Sequence, residues 1–315
     1  MKASDLPLVT AIVVNYNQSR WVLELLDSVK QQTYPNLELV VVDDCSSDNS
    51  VQIIQDWLDK DWPTAKFIRH SLNKGVCRSL NDALAIAKGK YISEIAADDI
   101  WLPEKVSELV AFIESLPDNV GVVYADAYLI DENSNPVPGM FIPRHRPEIQ
   151  NPPSGDIHDI LWDGNFIPAQ SALIRRSVYH QVGVYDESLS LEDHDMWLRI
   201  SRQFHFAFYP TPLAKYRLSA CSMSGSASGR VSMSQAFRQM LVSHLLRGGV
   251  PPRLQQRAAG ILYHQAVAEY RAGGPQRRRL MWQAARIRPS LKSACLAVGC
   301  FLGVPYRAFD LDGTA

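Results

Sequence analysis

Among the places in this chain of 315 residues where acidic residues stand side by side are Asp43-Asp44, Asp98-Asp99 and Glu192-Asp193. Neighbouring carboxylates repel one another unless one is protonated, water screens them or a cation bridges them. The first two pairs follow apolar, β-branched runs and have few cations beside them, so a divalent ion is the economical partner. Each pair also has a plainer reading. Asp43-Asp44 could cap the helix that follows, Asp98-Asp99 could be a turn before a helix opened by Pro103, and Glu192-Asp193 a solvated helix start. His194 reads as a structural or supporting residue rather than a catalyst.

The elements that must position these residues can be read from hydrophobic period. Apolar runs at 8–14, 39–42, 67–68, 91–95 and 120–124 predict short buried strands. Between them lie helical stripes: Val22, Leu25, Leu26 and Val29; Val51, Ile54 and Leu58; Val76, Leu80, Ala83, Leu84 and Ala87. Pro103 opens a fourth, with Val106, Leu109, Val110 and Ile113 on one face. Strand alternating with helix predicts an α/β fold with a mainly parallel sheet flanked by helices.

In such sheets ligands bind beyond the carboxyl ends of the strands. There the first strand ends in Asn15-Tyr16-Asn17, the second in Asp43-Asp44-Cys45-Ser46-Ser47-Asp48 and the fourth in Asp98-Asp99. The chain has no GxGxxG, and Gly89-Lys90 lacks the earlier glycine of a phosphate loop. What remains is a mononucleotide-sized site, where acids recruit Mg²⁺ or Mn²⁺ and the ion holds a diphosphate that the acids alone would repel.

Composition narrows the class. With 46% apolar and 21% charged residues the chain is neither disordered nor fibrous. Five cysteines without a CxxC pair fit no disulfide framework and no zinc ribbon, which points to a reducing, cytoplasmic setting. The opening MKASDLPLVTAIVV reads as neither signal peptide nor membrane span, and the late apolar stretch 293–304 falls short of the ~20 residues a spanning helix needs.

Net charge divides along the chain. Residues 1–224 hold 19 Lys and Arg against 30 Asp and Glu, giving −11, whereas 225–315 hold 13 against 3, giving +10. The region 125–165 is proline-broken and loop-like, Ser219 to Gly229 reads as a linker, and the remainder is helix-prone with breaks at 248–252 and 273–275. Its Arg277-Arg278-Arg279, Arg286, Arg288 and Lys292 interleave with Leu280, Met281, Trp282, Ala284 and Ile287. That composition suits either a peripheral contact with an anionic membrane or a helical cap leaving its arginines in water. No nucleic acid is expected, for want of stacking platforms or a known module.

Five segments in order resemble one family. VVNYN at 13–17, VVDDCSSDNS at 41–50, NKGVCRSLN at 73–81, ADDIWLPEK at 97–105 and LEDHDMWLRI at 191–200 are similar to family 2 glycosyltransferases of the GT-A fold. The resemblance weakens after about residue 225. It implies an inverting, metal-dependent transfer from a nucleotide-diphosphate sugar (UDP-, dTDP- or GDP-linked) to a saccharide or lipid-linked saccharide acceptor, in surface polysaccharide synthesis. Tyr16, Asp43, Asp44, Asn73, Lys74 and Asp98 would bind the donor, Asp98 and Asp99 the ion, and Asp193 would be the general base. Met196, Trp197 and Ile200 would anchor the helix that presents Asp193. Ala96 stands where many members carry a further acid, and Ser219 near a position often held by His.

The expected division is 1–125 as the donor-binding half, 126–224 as the acceptor-binding half and 225–315 as a basic helical region. Two rival classes are a non-catalytic nucleotide-sugar binder, suggested by Ala96, and a sugar nucleotidyltransferase. The latter should show a glycine-rich loop after the first strand, where the chain has Asn15-Tyr16-Asn17-Gln18-Ser19.

Overall fold

Strands covered by helices on both faces must be apolar on both, and the first strands meet that demand. The computed structural model describes residues 6–219 and 227–309. The chain divides into two compact units, one ending at residue 230 and one starting at 231. In the first, strands and helices alternate as β1 (Val9–Asn15), α1 (Val22–Lys30), β2 (Leu37–Asp43), α2 (Ser50–Asp61), β3 (Lys66–Arg69), α3 (Val76–Ile86) and β4 (Tyr91–Ala96). Then follow β5 (Ile100–Trp101), α4 (Lys105–Glu114), β6 (Val120–Tyr124), β7 (Ala127–Ile130), β8 (Pro136–Met140), α5 (Phe141–His145) and α6 (His158–Leu161). The unit closes with β9 (Leu173–Arg175), α7 (Arg176–Val182), α8 (Glu192–Ile200), β10 (His205–Phe208) and β11 (Ala214–Arg217).

Seven strands form the main sheet in the order β10-β6-β9-β4-β1-β2-β3. β1 runs parallel to β2 and β4, and β2 to β3; β9 is antiparallel to both its neighbours, β4 and β6. Register sets Asn15 beside Asp43 and Val14 beside Ala96, so β1, β2 and β4 end level with one another. Val9, Ala11 and Val13 of β1 pack with the apolar stripes of α1, α2 and α4 in one large core. A second sheet, β5-β11-β7-β8, lies within 100–217.

Three expectations need correction. Pro103 does not open α4; it lies in the preceding turn, where its carbonyl accepts the Thr33 amide, and the helix begins at Lys105. The region 125–165 is not merely loop: β7 and β8 pair as an antiparallel ribbon. Its prolines hid it, because Pro136 and Pro138 sit on the sheet's edge strand, where a missing N–H costs no ladder bond. The expected linker is helical at its end, since Ala227, Ser228 and Gly229 begin α9 (Ala227–Leu246); its positions 220–226 lie outside the described residues.

The second unit continues with α10 (Pro252–Arg271), α11 (Arg277–Ile287) and α12 (Leu291–Leu302). Val242, Leu262, Ala266, Tyr270, Met281, Ala284, Leu296, Ala297 and Cys300 form its core. Its breaks match the sequence: Pro252 stands at the first turn of α10, and Ser290 caps α12 in a reciprocal box with Ser293. Among the described residues no helix is long and apolar enough to cross a membrane.

Lys105, Arg175 and Arg217 are buried cations of the first unit. Lys105 is wholly buried; its ammonium donates to Ser93 Oγ and to the Ala172 carbonyl at 3.2 Å, and lies 3.9 Å from the centre of the Trp101 ring. Burial pushes its pKa well below the ordinary lysine value. The unfolded chain holds that proton up to about pH 10.4, so this group costs stability at neutral pH and the cost fades as pH rises. Lys105→Met should therefore be about 1 kcal/mol or more stabler than the parent at pH 7, as a buried charge gives way to an apolar group. Thermal melts should show the gap closing toward pH 10; a variant less stable at pH 7 would contradict this.

Candidate functional site

Three loops meet at the ends of β1, β2 and the segment before α3, joined by side chains that the sequence marked as chemical. Asp43 is buried and accepts from Asn15 Nδ2 at 2.7 Å, from Ser46 Oγ at 2.6 Å and from the Ser46 amide at 2.9 Å. Asp44, also buried, accepts from the amides of Lys74 and Gly75, both at 2.8 Å, and pairs with His70 Nδ1 at 2.8 Å. Gly75 has φ +84°, a left-handed value that favours glycine and turns its amide toward that carboxylate. Asn17 and Cys45 also take left-handed φ, +54° and +65°. Asn17 is held there by Ser46 Oγ and the Ser47 amide, a local strain of the kind found at ligand sites.

The expected donor-binding residues thus separate into two groups. The carboxylates of Asp43 and Asp44 hold the loops together. Tyr16, Asn73 and Lys74 are exposed on those same loops, with Lys74 Nζ 3.6 Å from Asp82.

A further loop, at the end of β4, carries Asp98, half-buried, and Asp99, buried. It leaves β4 beside β1, where the Ala97 amide donates to the Val14 carbonyl at 3.0 Å. Burial raises both pKa values; Asp99 is pushed further by the charge of Asp98 and eased by the Arg217 amide on Oδ1 at 2.8 Å. Arg217 is the residue that sequence reasoning missed. Its buried guanidinium donates to the Asp98 and Asp131 carbonyls, to Ser134 Oγ and to Glu24 Oε2, at 2.7 to 3.0 Å. That single side chain ties the acidic loop to α1 and to the β7–β8 ribbon. Its only signal in the sequence is a lone arginine ending a short strand.

Asp193 lies half-buried in the first turn of α8, whose Met196, Trp197 and Ile200 are buried as expected. Its carboxylate accepts from Asn165 Nδ2 at 2.7 Å and from the His194 amide at 2.6 Å. His194 is buried, with Nε2 2.7 Å from the Leu161 carbonyl, which agrees with a structural part. Glu94 of β4 is a second residue that was missed. It is buried and accepts from Tyr179 Oη at 3.0 Å and Tyr185 Oη at 2.5 Å. A lone carboxylate inside the apolar run YISEI is the signal that could have found it.

Glu94 feels the charge of Asp193, Glu192 feels both Asp193 and Glu94, and burial is the main cause of upward shifts in all three. Glu94 is pushed up to about 7. Glu192 rises further than Asp193, because Asp193 repels it while Asn165 and the His194 amide hold Asp193 down. Asp193 is therefore the acid of that pair that ionises first on the way to neutral pH, as a general base requires.

A folded carboxyl with a raised pKa stabilises the native state at low pH and loses that contribution as pH rises through the folded value. Melting temperature should therefore fall between about pH 5 and 8. Glu94→Gln should flatten that fall and melt above the parent at pH 8. A parallel pH profile in the variant would show that Glu94 does not carry the effect.

Comparison with known proteins fits this geometry. Residues 10–183, more than half of the chain, match the family described as Glycosyl transferase family 2. An uncharacterized glycosyltransferase of Rickettsia felis is 31% identical over 222 residues, 67% of this chain, and the chain spans only 34% of that relative. One from Haemophilus influenzae is 30% identical over 220 residues, covering 67% of this chain and 66% of its own length. Among solved structures, the mannosyltransferase PcManGT from Pyrobaculum calidifontis, in complex with GDP-Man and Mn²⁺, superposes with TM-score 0.58 at 21% identity, covering 98% of this chain and 84% of its own. S. aureus TarS 1–349 in complex with UDP-GlcNAc gives 0.55 at 18%, covering 96% and 92%. These structures share the GT-A-like fold, and with the family match and the acids placed at the strand ends, the chain belongs to glycosyl transferase family 2.

Proposed function

We propose that this chain moves a sugar from a UDP-, dTDP- or GDP-linked donor to a saccharide or lipid-linked saccharide acceptor, with inversion at the anomeric carbon. The observation that carries the reading is Asp193: a carboxylate fixed by Asn165 and His194, lifted in pKa, whose charge acts on Glu94 of the strand that leads into Asp98-Asp99. Residues 1–125 would hold the donor and 126–224 the acceptor. Donor contacts would fall to Tyr16, Asp43, Asp44, Asn73, Lys74 and Asp98, with Asp43 and Asp44 also keeping their loops in place.

A divalent cation fits Asp98 and Asp99. Both are hard oxygen donors whose burial penalises their charge, and a cation beside them would reverse that penalty. Among the described residues no group of three or more His, Cys, Asp or Glu could hold an ion. Two carboxylates therefore suit Mg²⁺ or Mn²⁺ that takes its other ligands from a diphosphate and water. When bound, such an ion would supply charge stabilisation for the leaving diphosphate. PcManGT, bound to GDP-Man and Mn²⁺, and TarS, bound to UDP-GlcNAc, support a nucleotide-sugar site here.

Asp193 would take the proton of the acceptor hydroxyl as its oxygen attacks. Asn165 keeps the carboxylate aimed and Arg217 holds the Asp98-Asp99 loop in place. The chain would act in surface polysaccharide synthesis at the cytoplasmic face of a membrane, the basic region meeting anionic lipid.

A second reading, a donor-binding protein without turnover, draws on Ala96, whose exposed methyl stands at the end of β4 where an acid would add a ligand. Release of nucleoside diphosphate from a panel of nucleotide sugars separates the readings. Wild type should release it, and Asp193→Asn should do so about 10²–10⁴-fold more slowly while binding donor as before. Donor binding without release by wild type would favour the second reading, and pyrophosphate from a nucleoside triphosphate and a sugar phosphate would indicate a nucleotidyltransferase.

A further inference from the structure

The second unit presents an uncovered apolar face. On α12, Ser293, Leu296, Ala297 and Cys300 point into the core, while Leu291 (83% exposed), Val298 (56%), Phe301 (70%) and Leu302 (71%) point out. Ala294 and Cys295, also exposed, fill the gap between them. These positions recur three or four apart, so they form one continuous stripe about 16 Å long at 1.5 Å per residue.

The stripe has a basic flank. Arg278 of α11 sets its guanidinium 5.8 Å from the centre of the Phe301 ring. Trp282 (62% exposed) and Arg286, also exposed, follow on the same face of α11 at steps of four. Residues 277–302 hold six cations, Arg277, Arg278, Arg279, Arg286, Arg288 and Lys292, and no acid. An apolar stripe beside arginines and an exposed Trp has the anatomy of a helix that lies in a bilayer interface. At 12 residues α12 is too short to span.

We propose that the outward face of α12, with Arg278, Trp282 and Arg286 of α11, docks this chain on an anionic phospholipid bilayer. Phe301, Leu302, Val298 and Leu291 enter the acyl boundary while the arginines meet headgroup phosphates. Charge selects lipid over a second copy of the chain, because pairing two such faces would bring like-charged arginines together across an acid-free contact. This names the surface behind the membrane-side placement offered above, and its test is independent of sugar transfer.

The full chain should sediment with phosphatidylcholine vesicles containing phosphatidylglycerol, much less with phosphatidylcholine alone, and less as salt rises and screens the headgroups. Brominated lipid should quench parent fluorescence more than that of Trp282→Phe. The double variant Val298→Glu, Phe301→Gln should lose at least about tenfold in partition, since apolar area leaves the interface. Arg278→Gln with Arg286→Gln should weaken binding to anionic vesicles. Circular dichroism checks that the helices persist. Leu291→Asp serves as a second apolar-face variant, because an acid is favoured at a helix start. The proposal is overturned by absent vesicle binding at low salt, by binding that ignores the α12 variants, or by a dimer that Val298→Glu, Phe301→Gln dissolves in a chain that does not bind lipid.

Discussion

Two acids on adjacent residues, brought out of water at the end of β4, are the constraint around which the first unit is arranged. Asp98 and Asp99 resist ionising together, and the chain gives Asp99 one amide from Arg217 rather than a neutralising cation on its carboxylate. The Arg217 guanidinium goes elsewhere, to the Asp98 and Asp131 carbonyls, Ser134 and Glu24. It thereby fixes the loop's position, and its charge eases both acids only in part, since burial still raises both pKa values. Such a loop would suit the proposed cation that arrives with its own anionic ligand.

β4 connects this loop to the acid of the proposed base. Its residue Glu94 lies buried under two tyrosine hydroxyls and shares a field with Glu192 and Asp193. Burial lifts Glu192 most, repulsion from Asp193 and Glu94 adds to it, and Asp193, with its two hydrogen bonds, is left the easier of that pair to ionise. A single strand therefore leads into the acid pair proposed to bind the ion and carries, four residues before it, a buried carboxyl that feels the charge of the proposed base on α8.

Much of this was legible in the sequence where physics is local. Apart from the two-residue β5, the strands and helices up to Tyr124 follow hydrophobic period, and their ends fall within about three residues of the apolar runs. Acid pairs after strands pointed to the sheet's carboxyl edge. What stayed hidden depends on contacts across the chain. Arg217 reaches partners at 24, 98, 131 and 134, and no spacing rule links those positions. The parts of Asp43 and Asp44 were hidden in the same way, since their loop-joining amides come from residues 46, 74 and 75. The β7–β8 ribbon escaped because its prolines, breakers in a central strand, are harmless on an edge. The apolar stripe of α12 escaped because a short hydrophobic run reads alike whether one face or both are buried.

The central claim is that Asp98 and Asp99 bind a divalent ion together with a nucleoside diphosphate. A thermal-shift panel of UDP, dTDP, GDP and their sugars, with and without Mn²⁺, tests it directly, because a ligand that binds only the native state raises its melting point. One nucleotide should stabilise the parent only when Mn²⁺ is present, and Asp98→Ala should lose the shift. Equal stabilisation without the metal, or a full shift in Asp98→Ala, would contradict it.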